Sequence, residues 1–191
     1  MLAEAVRTIQ RRGVEALTLR GVAGKLGVSR TALYRHFANK EALLGAVAAD
    51  GFRKLRRELF ESWDEAGRGR IGFEAMGAAY VRFAVRHPSH YRVMFGGVLR
   101  SAEAALPPDD QSVDAFGVLS GALIEMQGQG LVRADDPQIL ALFVWSVVHG
   151  VAMLALDGVL RTPRDIDALS RFANERLWTG IGLVPGLSSG T

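Results

Sequence analysis

Apolar side chains recur at three- and four-residue intervals along most of the chain, and no alternating strand pattern persists, so the sequence predicts helix after helix. Leu2, Ala5, Val6 and Ile9 share one face of a first helix, and Gly13 supplies its stop. Thr18 is a natural N-cap for a short helix around 19–26, with Gly27 where a tight turn needs a permissive backbone. Ser29 caps another short helix, roughly 30–36, before the polar break Ala38-Asn39, and a longer helix runs from Lys40 through Trp63. The stretch EAGRGRIG (65–72) reads as a linker. Helix resumes over about 73–86 and stops at His87-Pro88, because proline disfavours helical geometry in the residue before it. A short helix covers SHYRVMF (89–95), and the loop EAALPPDD (103–110) precedes a helix over roughly 110–129 that Gly128 and Gly130 end. ADDPQ (134–138) opens the most apolar helix, reaching about Leu160, and RTPRDID (161–167) opens the last, to about Thr179. GLVPGLSSGT (182–191) reads as a frayed tail, there is no internal repeat, and the predicted fold class is all-α.

The run ILALFVWSVVHGVAMLAL (139–156) contains only Ser146 and His149 as polar side chains, and its length just reaches that of a membrane span. A helix buried in a core or an interface looks the same. No second span accompanies it, and His149 and Gly150 near its middle disfavour lipid exposure, so no membrane partner is expected.

Charge divides the chain unevenly. Residues 1–57 carry 12 Arg/Lys against 4 Asp/Glu, a net +8, while 58–191 carry 11 against 16, a net −5, within a whole-chain charge of +3. A basic head on an acidic body implies that the head alone meets a polyanion. Cysteine is absent, which excludes disulfides and thiolate metal sites, and the first residues lack the apolar core of a signal peptide. The expected location is cytoplasmic.

Residues 18–37 pair two short helices around Gly27, with Ala23 small enough for their close approach and Val22, Leu26, Val28 and Leu33 as apolar anchors. Arg30, Thr31, Arg35 and His36 place donors on the outer face of the second helix, and Tyr34 adds a phenol that can reach phosphate. In a helix-turn-helix this second helix enters the major groove. The string VRTIQRRGVEALTLRGVAGKLGVSRTALYRHFANKEALL, above all GVSRTALYRHFANKEALL, resembles the N-terminal domain of TetR-family transcriptional regulators over about residues 2–47. The resemblance implies base and phosphate contacts from Ser29, Arg30 and Thr31, and sequence reading by Arg35. It implies phosphate contacts from Thr18, Tyr34, His36 and Lys40, the last reinforced by the positive end of its helix. Phe37 is assigned to the core. Many family members carry a basic arm before the first helix. This sequence begins almost at that helix, and no arm contact is carried over.

Other motifs carry no chemistry. GRGRIG (67–72) fits G-x-G-x-x-G literally, but a charged helix precedes it where a dinucleotide fingerprint needs a strand. His87 and His90 lack a third ligand, and no catalytic signature occurs, so neither enzyme activity, metal nor cofactor is expected.

AYVRFAVRHPSHYRVMF (79–95) and WSVVHG (145–150) more loosely resemble one of that family's C-terminal ligand-binding domains, the WHG type. The expected domains are a helix-turn-helix head at 1–46 and a helical ligand-binding and dimerisation body at 47–191. The resemblance implies that the last two helices, about 136–158 and 163–179, form the interface of a homodimer. Phe83, Tyr91, Met94, Phe95, Phe116, Met126, Trp145 and Met153 are candidate pocket walls, with His149 or His90 as the polar handle. The expected function is a repressor that binds a palindromic double-stranded DNA operator as a homodimer and is released by a small, mostly apolar effector. Two alternatives remain: a DNA-binding regulator or activator working through a protein partner without an effector, and a helical enzyme or membrane-associated protein with an incidental helix-turn-helix.

Overall fold

The computed structural model describes residues 1–96 and 114–183. Its helices, in chain order, are α1 (Leu2–Arg12), α2 (Leu19–Leu26), α3 (Arg30–Tyr34), α4 (Lys40–Glu65), α5 (Gly69–Arg86), α6 (Pro88–Phe95), α7 (Ala115–Gly128), α8 (Pro137–Leu156) and α9 (Pro163–Ile181). Among the described residues extended pairing amounts to one bridge, Val132 with Gly182. The expected loop at 103–110, the start of the helix expected from 110, and most of the expected tail lie outside the described residues.

The caps fall where the side chains direct. Thr18 Oγ1 accepts from the Gly21 N–H at 3.1 Å, Ser29 Oγ from Ala32 at 3.1 Å, and Asn39 Oδ1 from Ala42 at 2.8 Å. Each satisfies a donor that a helix start leaves unpaired. Gly27 ends α2 in the left-handed region, φ 66°. At α9, Thr162 and Asp165 form a reciprocal capping box behind Pro163.

Two boundaries differ clearly from expectation: the most apolar helix ends at Leu156 instead of about Leu160, and the linker before α5 is shorter. The segment 65–72 contains a turn of only three residues, with Gly67 at φ 83° and Arg68 at φ 61°, and α5 begins at Gly69. Arg68 is held in this unfavourable geometry by bonds to Asp64 at 3.0 Å and Glu125 at 3.0 Å. Gly72 lies within this helix, where a Cβ would stand 2.8 Å from the Trp63 backbone oxygen.

The chain forms two compact units, and α4 runs from the first into the second. Unit one is Met1–Lys54 with His87–Val113. Its core gathers Ala5, Leu17, Val22, Leu33, Leu43 and Val47, all essentially inaccessible, whereas the expected anchor Val28 is 37% exposed. Within this unit α6 packs on α1 and on the first half of α4. Gly51 makes the second contact possible, since a Cβ there would collide with the Met94 sulfur, and Phe52 meets Phe95 edge-on at 5.4 Å.

Unit two is Leu55–Arg86 with Asp114–Thr191. Here α8 packs against α5, α7 and α9, burying Leu140, Ala141, Val144, Val148, Val151 and Ala152. It is long and apolar enough to cross a membrane, with a mean hydropathy of 2.3, yet these residues form one side of a packed helix. Its other side leaves Ile139, Leu142, Phe143 and Leu154 at 40–65% exposure.

Candidate functional site

In unit one, α3 is a five-residue helix whose inner face is Leu33, 0% exposed, and whose outer face is free. Arg30, Thr31, Tyr34, Arg35 and His36 are all exposed, Tyr34 at 54%. Spacings of three and four place Arg30, Thr31, Tyr34 and Arg35 on adjoining strips of this face. Thr18 and Ser29 flank it, each hydroxyl engaged in its cap but exposed. Phe37, assigned to the core, is half-buried.

Lys40, at the first turn of α4, is held by a residue that sequence reasoning missed. Its ammonium donates to the Glu15 carbonyl at 3.3 Å and lies 3.9 Å from the Glu15 carboxylate. The tie fixes the loop before α2 against the start of α4. Nothing in local spacing links positions 15 and 40.

The acids of this unit lie close to bases. Glu4, its side chain 11% exposed, binds Arg7 at 2.6 Å and Lys25 at 3.4 Å, and the Arg7 hydrogen bond chiefly holds its carboxyl below the usual range. Asp50 bonds Lys54 at 2.6 Å and His90 at 3.0 Å, and these contacts outweigh burial, which alone would raise it. His90 is pushed below its ordinary value by burial, with Lys54 adding to the shift. Glu4, Asp50 and Glu15, three of the four acids before residue 58, therefore each stand beside a cation.

In unit two, an apolar cavity of about 30 Å³ is lined by Leu59, Phe73, Met76, Tyr80, Val144 and Val148, with Leu119, Gly77 and Asn174 completing it. Of the candidate pocket residues, Phe83, Phe116, Met126, Trp145, His149 and Met153 belong to this unit, and none lines this cavity. Phe83 and Met126 are fully buried and Met153 is 37% exposed. Trp145 and His149 form a cluster beside the cavity wall: Tyr80 Oη is 3.0 Å from His149 Nδ1, and the Trp145 ring lies 6.2 Å from Tyr80 and 5.0 Å from Phe116. Burial lowers the His149 pKa and so favours the neutral ring. His90, Tyr91, Met94 and Phe95 belong to unit one, where Tyr91 and Met94 are fully buried. Among the described residues no cluster of three or more His, Asp or Glu could hold a metal.

Comparison with known proteins also divides the chain in two, but the second match runs across both structural units. Residues 1–47 match the family of bacterial regulatory proteins called the tetR family, and residues 73–177 match the Tetracyclin repressor-like C-terminal domain. The solved structure of a protein of unknown function from Rhodococcus sp. RHA1 is 31% identical, with TM-score 0.80, over 95% of this chain and 93% of that one. An uncharacterized HTH-type transcriptional regulator of Mycobacterium tuberculosis, Rv0681, is 27% identical over 94% of this chain and 78% of its own. A TetR variant from Acinetobacter baumannii AYE, solved in complex with minocycline, shares the fold at 21% identity and TM-score 0.65, covering 94% of this chain and 92% of that one.

Proposed function

Because the chain belongs to the TetR family of DNA-binding transcriptional regulators, we propose that it is a repressor that grips a palindromic operator as a homodimer and lets go when a small, mostly apolar effector binds. The observation that carries the proposal is the outer face of α3. Arg30 and Arg35 stand exposed there, with no ion-pair partner among the described residues, on a unit whose surface charge is positive. Donors already free of water-excluding contacts and of competing carboxylates are suited to base edges. In this reading Ser29, Arg30, Thr31 and Arg35 meet the major groove, while Thr18, Tyr34, His36 and Lys40 hold phosphates.

Two further observations support the rest. Leu142 and Phe143 on α8 and Phe172 on α9 are at least half exposed, an apolar area that a second copy would cover. The cavity in unit two has a wall without charged groups, which suits an uncharged apolar guest, and the minocycline complex is of a protein with the same fold. The protein would act in the cytoplasm, where its operator lies.

Selection of bound sequences from a random DNA library tests the proposal. The expected result is an inverted repeat whose half-sites are one helical turn, about 34–36 Å, apart or a multiple of it, bound by paired chains. Enrichment of no sequence, or of a single half-site bound by one chain, would overturn it.

A further inference from the structure

Unit two holds a second opening, and the two meet at one side chain. A polar groove of about 470 Å³ runs between α5 and α9, with Arg70, Glu74 and Arg82 on one bank and Asp167, Ser170 and Arg171 on the other. Asn174 lines both this groove and the apolar cavity.

Asn174 is 6% exposed, and its Nδ2 donates to the Glu74 carbonyl at 3.2 Å. Its Oδ1 occupies space beside Gly77 that a Cβ would fill, so a glycine in mid-helix is what seats the amide across α5. Ser170, 8% exposed, has the only buried side-chain oxygen or nitrogen without a hydrogen-bond partner among the described residues, and it belongs to the groove wall. A buried hydroxyl without a partner is costly unless something answers it.

The charges of the groove balance: Arg70, Arg82 and Arg171 face Glu74, Asp167 and Glu175. Only Arg70 and Glu74 are bonded to each other, at 2.8 Å. A head group with many donors and acceptors finds partners of both signs there, whereas a lone anion or cation gains on one side what it loses on the other.

We propose that groove and cavity form one site for an amphiphile: a polar head of no net charge lies in the groove against Arg171 and Ser170, and a short aliphatic chain displaces Asn174 and enters the cavity. The site deepens the effector reading given above and rests on it. A cavity of about 30 Å³ accepts only the end of such a chain before its walls must part, so head-group contacts carry the discrimination.

The test is calorimetric titration of the full-length protein with hexyl glucoside, compared with glucose, hexanoate and hexylamine. Hexyl glucoside is expected to bind about tenfold more tightly than each, the factor that one well-made hydrogen bond is worth. Arg171→Gln should remove most of that advantage, and Val148→Phe, which fills the cavity, should leave hexyl glucoside no better than glucose. If Val148→Phe does not fold, Val148→Ile is the milder filling, expected to weaken the glucoside and leave glucose unchanged. Equal binding of all three hexyl probes, or unaltered binding of hexyl glucoside by the folded variants, would overturn the site. Operator release is measured separately by anisotropy. Binding without release would sink the effector role and leave the site standing. Release by another compound, with no hexyl probe bound, would sink the site alone.

Discussion

Removing the Lys40 ammonium separates the two ways in which the first turn of α4 can matter. Its nitrogen is 3.3 Å from the Glu15 carbonyl oxygen, and the side chain is 29% exposed, so it is tied on one side and open on the other. If the open side meets a phosphate, Lys40→Ala deletes one ionic contact per subunit and two per dimer. Each neutralised phosphate contributes roughly 0.9 to the slope of log K against log salt, so the dimer's slope should flatten by about 1.8. Over a fourfold rise in salt, from about 50 to 200 mM, the deficit of the variant against the parent should shrink roughly twelvefold. Fluorescence anisotropy with an operator duplex and a scrambled duplex reads both quantities, and the loss should be the same on each. Lys40→Gln keeps a donor for the Glu15 carbonyl, so it should lose the slope while preserving the thermal midpoint better than alanine does. Glu15→Gln removes a carboxylate 3.9 Å from the ammonium and should raise affinity slightly, by less than about 1 kcal/mol because the pair is exposed. An unchanged slope together with an altered preferred sequence would refute the phosphate assignment.

Arg30→Ala and Arg35→Ala should each relax one base pair per half-site, by about 1–3 kcal/mol of discrimination, as read by selection from a randomised operator; uniform weakening would mark a backbone contact instead. Ser29→Ala removes the N-cap bond to Ala32 and should destabilise α3 by about 1 kcal/mol, seen as a lower urea midpoint, whereas Ser29→Asp restores the cap but should still bind DNA poorly because it brings a negative charge to a polyanion. Phe143→Asp, at a position 50% exposed, should leave a folded monomer in sedimentation, and a persistent dimer would move the interface elsewhere. Burial lowers the pKa of both His90 and His149, so the unfolded chain takes up protons first. Their contribution is complete above the unfolded value of about 6.5 and is lost as pH falls through the folded ones. The urea midpoint should drop on acidification, and His149→Gln should make that drop shallower; an equally steep drop would clear His149.

Much of the head could be read from residue types because its information is local. Thr18, Ser29 and Gly27 specify starts and a turn within four residues of themselves, and the helices form where those signals stand. Val28 shows the limit: apolarity suggested an anchor, but its place just before the Ser29 cap leaves it exposed. Gly72 misled for a different reason, since its role is to admit Trp63, a neighbour that linear periodicity does not display. The cavity was harder still. Val144 and Val148 line it, while Trp145 and His149, the larger and chemically richer residues, sit one position further along the same helix. One position is a turn of about 100° around the axis, and which strip faces a void depends on partners as distant in sequence as Leu59 and Asn174.

The chain order of the two units bears on how the protein is made. Unit one takes its α6 from residues that follow the whole of Leu55–Arg86, a stretch belonging to the other unit. A ribosome therefore delivers α1 to α3 and the start of α4 well before the helix that closes over Gly51 and Phe52. Until Tyr91, Met94 and Phe95 emerge, the apolar side of that half-built unit has nothing to cover it. The nascent head is thus open to chaperones, or to another nascent copy, for as long as α5 is being synthesised. A truncation ending at Lys54 would make that transient condition permanent.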